Sequence, residues 1–433
     1  MNIEHFIAKR IAFSSNRSFT KVIVRIAIAA IAISMTVMIL TTAIISGFKK
    51  EITDKIFGFW GHIHITDSNV NRNFEVTPIP TNEAFYDSIR TLKGITYQED
   101  PTFPDELLRR EPPVKYTYGG IKGTYPFIIL PGLLNTKDDF HGVLLKGVDQ
   151  HYEWNKLNQF IVEGQPITYH PDSISDEILI SKNIADKLHL KTGNKVVLSF
   201  IRDQDQIKKR FTVCGIYNTG LEEYDRRFGI VDIGRLQDIL HWSATEAQGM
   251  EIILDDVRDL DTYSDYIYYE VVPANYYVES IRAKFPGIFE WLKLQDINEK
   301  IILQLMVLVA IINMITVLLI LILERTQMIG ILKSLGMHNG NIRKIFLWHA
   351  AYIIFFGLMA GNIIGLGLAW LQKQFKFIKL DEANYYLDTA PVDIHFGTIL
   401  AINIATLLIT VLFLTLPTLI ITRITPVRAL RFE

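Results

Sequence analysis

Four long runs of the chain hold no Asp, Glu, Lys or Arg: Ile26 to Ser46, Ile301 to Leu323, Ile345 to Gln372 and Ile394 to Thr422. A helix rises 1.5 Å per residue, so about 20 apolar residues cross a hydrocarbon core of roughly 30 Å. Each run is that long, and buried helices of soluble proteins are seldom so continuous. The pattern predicts four transmembrane helices, at 22–47, 301–323, 347–371 and 397–421. The first run is too long for the apolar stretch of a cleaved secretory signal, which is usually roughly 7 to 15 residues.

Between the first two runs the period changes. Gly61-His-Ile-His-Ile-Thr66 alternates polar and apolar, as a strand does. Ile178–Ile180, Lys195–Ile201 and Phe211–Tyr217 read as strands, with a helical segment Lys182–Leu188 between the first two. Arg202 to Gln206 reads as a hairpin turn. Gln248–Leu254 reads as a strand, Val257–Tyr268 as helical, and the segment near Asn275–Val278 as a strand. Thr77 to Pro131 is rich in Pro, Gly and Tyr and carries no assignable period. The expected fold is an α-helical membrane protein with four transmembrane helices plus a large mixed α/β extracytoplasmic domain of two subdomains at 48–300. One subdomain is split, from about 48–125 and 240–300. The other is a β-rich insertion near 126–239.

Lys and Arg set the orientation. Lys9, Arg10, Arg17, Lys21 and Arg25 precede the first run. Arg325, Lys333, Arg343 and Lys344 lie between the second and third, and Arg423, Arg428 and Arg431 follow the last. These segments, 1–21, 324–346 and 422–433, are therefore expected in the cytoplasm of an inner-membrane, multi-pass protein. The 48–300 domain and the charge-mixed loop 372–396 are expected in the periplasm. Phe6, Ile7, Arg10 and Phe13 suggest that the N-terminal segment is a helix lying in the interface.

Composition narrows the function. Hydrophobic residues make up 49% of the chain and its net charge is −2, which excludes a general nucleic-acid binder. Cys214 is the one cysteine, so no intrachain disulfide forms and the external domain must fold on its core alone. No GxSxG, HExxH or GxxxxGK[ST] occurs, so no catalytic residue and no cofactor are expected in this chain. His62 and His64 stand two apart on one strand face. No Cys or third His is near them in sequence, so they are expected to be exposed strand residues and not a metal site. Cys214 lies in an apolar strand and reads as core.

Within the spans, Gly357, Gly361 and Gly365 recur every four residues, a stripe that lets two helices approach closely. Asn313 and Asn362 sit deep in spans and need interhelical partners. Pro417 is expected to kink the fourth span. Between the second and third spans, Met328, Ile331, Leu332 and Leu335 form one apolar helical face that ends at Gly336. Such a helix can lie on lipid or dock in a partner's groove. The amphipathic tail Ile424–Glu433 is placed to pack beside it.

Several of these segments resemble one family. Phe6-Ile-Ala-Lys-Arg10, Ser46-Gly-Phe48 with Gly61-His-Ile-His-Ile65, Lys146-Gly-Val-Asp149 and Cys214 to Asp225 are similar to segments of the LolC/LolE lipoprotein-releasing permeases, within the MacB/FtsX-like ABC permeases. So are Glu324 to Gly336, Tyr385 to Ile394 and Pro426-Val-Arg-Ala-Leu-Arg431. The resemblance implies a permease subunit that pairs with a second permease chain, as a homodimer or a LolC/LolE-like heterodimer. It implies a separate LolD-like ABC ATPase that holds the ATP and magnesium. Glu324, Arg325, Met328, Ile329, Gly330, Lys333, Leu335 and Gly336 would couple to that ATPase. Acylated lipoproteins would be lifted from the outer leaflet and passed to a periplasmic carrier. Their lipid chains would lie against Met35, Met38 and Ile45 of the first span and Ile301 and Leu305 of the second. Pulling an acyl chain from a membrane costs about 0.8 kcal/mol per buried CH₂, so a three-chain anchor calls for an ATP-driven machine. A MacB-like exporter permease and an FtsX-like regulator of a cell-wall hydrolase are the alternatives within the superfamily. A membrane-anchored enzyme is disfavoured by the missing catalytic motifs.

Overall fold

The structure, a computed structural model, describes residues 6, 18–69, 77–98, 113–136, 139–170, 173–202, 205–381 and 385–423. Most of the expected interfacial helix at 1–21, and the tail from 424 onward, lie outside the described residues. The chain forms two compact units. One comprises Glu290–Lys379 with both ends of the chain, and the other Ile52–Phe289 with Leu380–Asp388.

The first unit is helical. Its helices are α1 (Ser18–Trp60), α2 (Pro286–Glu324), α3 (Thr326–Ser334), α4 (Asn339–Phe375), α5 (Phe396–Phe413) and α6 (Ile420–Arg423), of which the end of α1 from Ile52 and the start of α2 to Phe289 belong to the second unit. Four helices are long and apolar enough to cross a membrane: Lys21–Trp60, Pro286–Glu324, Asn339–Phe375 and Phe396–Thr422. The first three overrun the expected spans by many residues, and the last by one at each end. Helix α1 has 43 residues and α2 has 39, and α4 begins at Asn339 inside the expected loop. Past the apolar runs α1 and α2 still touch. Lys49 pairs with Asp296 at 2.5 Å, and Phe48 meets Trp291 edge to face at 5.3 Å. Charge ends an apolar run without ending a helix, because the backbone ladder continues wherever side chains permit.

The glycine stripe of α4 lies against α1. A Cβ built on Gly357 would stand 2.7 Å from Ile31 Cβ, and one on Gly361 would stand 2.6 Å from Met35 Cβ. One on Gly365 would stand 3.1 Å from Ile39 Cδ1. The close approach lets the Thr36 hydroxyl donate to the Gly361 carbonyl at 3.2 Å. Asn362 of α4 and Asn403 of α5 exchange amide hydrogen bonds at 2.7 and 3.0 Å. Each amide also donates to the carbonyl four residues earlier, so neither group faces lipid unsatisfied. Asn313, half-buried on α2, makes no such interhelical bond among the described residues. Pro417 does more than kink the fourth span. Helix α5 stops at Phe413, and Pro417 opens a separate 3₁₀ turn ahead of α6.

Two of the family-like segments meet in this unit. The Asp393 amide donates to the Ala43 carbonyl at 3.0 Å, and a Cβ on Gly47 would come within 2.9 Å of the Pro391 backbone. Only glycine admits that strand of loop against α1.

The second unit is a ten-stranded mixed sheet with helices. Its strands are β1 (Ile63–Asp67), β2 (Ile121–Asn135), β3 (Phe140–Val148), β4 (Ile161–Gly164), β5 (Glu177–Ser181), β6 (Lys195–Arg202), β7 (Asp205–Tyr217), β8 (Phe228–Asp232), β9 (Gly249–Leu254) and β10 (Tyr276–Ser280). Strand β2 has two roles. Ile121–Phe127 pairs antiparallel with β9, in the open run β10-β1-β9-β2. Ile128–Asn135 pairs with β3, and Leu133–Asn135 also pairs with β6. The pairings β2-β3-β8-β5-β7-β6-β2 therefore close into a six-stranded ring, parallel at β3·β8 and β5·β7. Closure leaves the ring no free edge.

Two helices pack into the core of this ring. Lys182–Leu188 starts at the side-chain cap of Ser181, and Ile233–Leu240 at that of Asp232. The open run and the ring share β2, and the expected break at 126 falls inside that strand. Pro126 and Pro131 both lie within it, which is why its strand character is hidden in the sequence.

Gly361→Leu is expected to collapse the yield of folded protein or lower its Tm by several degrees. Overpacking of this kind costs about 1–3 kcal/mol. Gly367→Leu on the same helix, where nothing lies within 4 Å of a Cβ, is expected to leave the Tm unchanged. Thermal unfolding of both variants in detergent checks the contrast.

Candidate functional site

The segment between the second and third spans is fixed at both ends. At its start the Ile329 amide bonds the Arg325 carbonyl at 3.0 Å. At its end Gly336 has φ +86°, its amide bonds the Lys333 carbonyl, and the Met337 amide bonds the Leu332 carbonyl, each at 3.0 Å. That pair of bonds is a Schellman cap, and a side chain at its left-handed position costs roughly 1–2 kcal/mol.

Helix α3 turns Ile329 and Gly330 fully inward, with Met328 and Leu332 partly buried against the same core. Ile331 is 49% exposed and Leu335 78%. The expected single face of Met328, Ile331, Leu332 and Leu335 is therefore split, because burying Ile329 uses the side that carries Met328 and Leu332. Ile331 and Leu335, four apart, remain as an outward apolar pair.

Lys333 and Arg343 point away from this outward pair. Lys333 Nζ donates to the Ile421 carbonyl at 2.7 Å, and Arg343 Nε donates to Thr418 Oγ1 at 3.1 Å. Both supply donors to the last turns of the fourth span, where Arg343 Nη2 also reaches the Thr415 carbonyl at 3.4 Å. Glu324 and Arg325 are half-buried. The corner joins α3, the start of α4 and the end of the fourth span.

The five expected lipid-contact residues do not share one surface. Met35 and Met38 are fully buried in the bundle core, and Met35 packs on Gly361. They are packing residues of this chain and not a cavity wall. Ile45 is half-buried. Ile301 and Leu305 are about half exposed on one face of α2, which continues through Leu308 and Ile312.

In the second unit the two strand histidines are buried, against expectation. Strand β1 is covered on both faces, so its polar positions face a polar interior and not solvent. His62 Nδ1 accepts from the Leu254 amide at 2.8 Å. His64 Nε2 donates to the Trp60 carbonyl at 2.7 Å, and its Nδ1 accepts from Lys284 Nζ at 3.1 Å. No group of three or more His, Cys, Asp or Glu among the described residues is placed to hold a metal. Cys214 is half-buried with its thiol pushed up to about 12 by burial, so it stays protonated. Asp225 accepts from the Thr219 hydroxyl at 2.8 Å and the Gly220 amide at 2.9 Å. It fixes the turn at Gly220, φ +73°.

The MacB-like periplasmic core domain family matches residues 26–267, and the FtsX-like permease C-terminal family matches residues 300–426. The chain belongs to the MacB/FtsX-like permease family. Lipoprotein-releasing system transmembrane protein LolC of Neisseria meningitidis serogroup B is 24% identical over 451 residues, covering 100% of both chains. LolC of Xylella fastidiosa is 22% identical and covers 94% of this chain and 93% of its own. Lipoprotein-releasing system transmembrane protein LolE of Haemophilus influenzae is 21% identical and covers 94% of each. In this MacB/FtsX-like permease the FtsX-like part contains α3 with its outward pair, and the MacB-like part contains the shared strand β2 and the ring. The family makes it an inner-membrane protein with a periplasmic domain.

Burial first, then the Lys284 charge, pushes the His64 imidazole down from 6.5 to about 4. The folded permease therefore resists a proton that the unfolded chain accepts. The stability is complete above pH 6.5 and is lost as the pH falls toward 4, amounting to about 2 kcal/mol by pH 5. The Tm of the wild type is expected to drop further between pH 7.5 and pH 5 than that of His64→Gln. Equal drops in the two proteins would remove His64 as the group responsible.

Proposed function

We propose that this chain is a permease subunit of an ABC system that releases lipoproteins from the inner membrane. The end-to-end likeness to lipoprotein-releasing transmembrane proteins carries the reading, since it spans both the helical unit and the periplasmic one. In it, the termini and α3 lie in the cytoplasm. A separate ATPase binds and hydrolyses ATP with magnesium, and a second permease chain completes the membrane part. Acylated lipoproteins leave the outer leaflet and pass to a periplasmic carrier.

Ile331 and Leu335 are the residues that enter the ATPase. Their side chains are free of the bundle, while Met328, Ile329 and Gly330 hold the helix in place and Gly336 ends it. Lys333 acts from behind, through the fourth span, and Glu324 and Arg325 frame the start of the helix. The acyl chains run along the exposed face of α2 at Ile301 and Leu305. Ile45 stands on α1 toward the same end of the apolar runs.

Purification in mild detergent from native membranes, with mass spectrometry of what is retained, tests the reading. An ATPase together with acylated lipoprotein is the expected result. An ATPase with a small-molecule cargo or a cell-wall hydrolase in place of lipoprotein would overturn the lipoprotein assignment, and no ATPase would overturn the ABC reading. The double variant Ile331→Asp/Leu335→Asp is expected to lower co-purified ATPase at least tenfold with wild-type yield and Tm. Retention of ATPase at the wild-type level would remove α3 as the docking element.

A further inference from the structure

Helix α1 ends at Trp60, inside the second unit. The last carbonyls of a helix have no intrahelical donors, and a buried end must find others. Gly61, at φ +68°, closes the backbone with a bond from its amide to the Phe57 carbonyl at 3.0 Å. The next three carbonyls take side-chain donors. The Tyr152 hydroxyl reaches the Gly58 carbonyl at 3.4 Å, Lys146 Nζ donates to the Phe59 carbonyl, and His64 Nε2 donates to the Trp60 carbonyl.

These donors come from β1, from β3 and from the segment after β3. The Lys146 charge is balanced by Glu251 of β9 at 2.6 Å, and Glu251 also stands 3.5 Å from His64 Nε2. Lys146, Glu251 and His64 are all almost completely buried. The other nitrogen of His64 takes its hydrogen bond from Lys284, which lies just before the first residue of α2 and over the Trp60 ring. One imidazole thus joins the end of α1 to the approach to α2.

A buried ion pair is a poor way to hold a fold, since apolar side chains of similar volume often serve as well. Apolar side chains cannot bind carbonyl oxygens. Cations, moreover, are favoured at the negative end of a helix. The charges make sense as a grip on the helix end.

We infer that Lys146, His64 and Lys284, balanced by Glu251, form a clamp that makes the periplasmic unit follow the movement of α1 and α2 during the transport cycle. Lys146 is a positioning residue in this device and touches no substrate. The functional part of the inference rests on the lipoprotein-releasing reading.

The test uses the full permease complex with its ATPase in liposomes. Lys146→Met/Glu251→Gln removes both charges and leaves the Phe59 carbonyl without its lysine donor. Lys284→Met leaves the Lys146–Glu251 pair intact and cuts only the link toward α2, and Lys146→Arg keeps charge and donor. Two quantities are read: hydrogen exchange across residues 55–66, and lipoprotein released per ATP hydrolysed. The double variant is expected to exchange at least tenfold faster there and to release at least tenfold less per ATP, with hydrolysis unchanged. Lys284→Met is expected to lose about fivefold in release per ATP, and Lys146→Arg is expected to behave as wild type. Unchanged exchange in the double variant, or wild-type release per ATP in both it and Lys284→Met, would overturn the clamp. A wild-type complex that releases no lipoprotein would refute the transport reading, and the exchange measurement would still decide whether the clamp holds the helix end.

Discussion

The last carbonyls of α1 emerge where no water reaches them, and much of the second unit is arranged around that fact. A carbonyl buried without a donor costs about as much as a lost hydrogen bond, so the donors must come from the surrounding strands. A lysine brought in as donor needs a counter-charge, which places Glu251 on the neighbouring strand β9. A histidine brought in as donor must keep its other nitrogen as an acceptor, and Lys284 supplies the proton to it. The polar positions of β1 then point inward because the polar partners are inside. The same constraint shapes the helical unit. Lys333 and Arg343 donate at the broken end of the fourth span, and Gln372 donates to the Ala390 carbonyl in the loop that follows α4. Lys333 and Gln372 each give a donor to a backbone carbonyl of another element, and Arg343 gives one to the Thr418 hydroxyl.

A second constraint acts between helices in lipid, where the hydrophobic effect gives no preference for helix over acyl chain. Contact there depends on close fit. The glycines of α4 bring its backbone onto α1, near enough for a hydroxyl-to-carbonyl bond between them. Asn362 and Asn403 then fix α5 on α4 by satisfying each other. Met35 and Met38 are consumed by this packing. Their flexible side chains fill the contact with α4 and the core, which is as common a use of methionine as lining a binding surface.

The four long apolar helices, six of the ten sheet strands and the helix end at Gly336 were legible because each depends on a local pattern: a charge-free run, an alternation, a glycine after a periodic stretch. What was not legible depends on pairing across the fold. Strand β2 holds Pro126 and Pro131, which argue against a strand until its partners β9, β3 and β6 are known. His62 and His64 alternate with isoleucines as an exposed strand would, and only the second layer of polar groups shows the alternation to be between two buried faces. On α3, periodicity marked Met328, Ile331, Leu332 and Leu335 correctly as apolar. It could not say which of them the bundle would claim, because Ile329 takes the inward position. The lengths of α1 and α2 were hidden for a related reason. Lys49 and Asp296 look like the end of a span, and they are an ion pair between two continuing helices.

Movement can pass along a chain of elements only if no link is softer than the load it carries. Beyond Trp60 the path runs through hydrogen-bonded ladders: β1 beside β9, β9 beside the first half of β2, and the second half of β2 inside the ring. A flexible linker between two subdomains would absorb a displacement at this point, whereas a single strand shared by both leaves no linker to bend. The ring itself is closed, so it has no edge strand to peel away under strain. The weakest place left on the path is the joint between the end of α1 and the strands that receive it. That joint is where the chain concentrates its buried charges, and a grip on carbonyl oxygens is directional in a way that apolar contact is not. The cost of burying Lys146 and Glu251 is therefore best understood as the cost of a joint that transmits rotation as well as position.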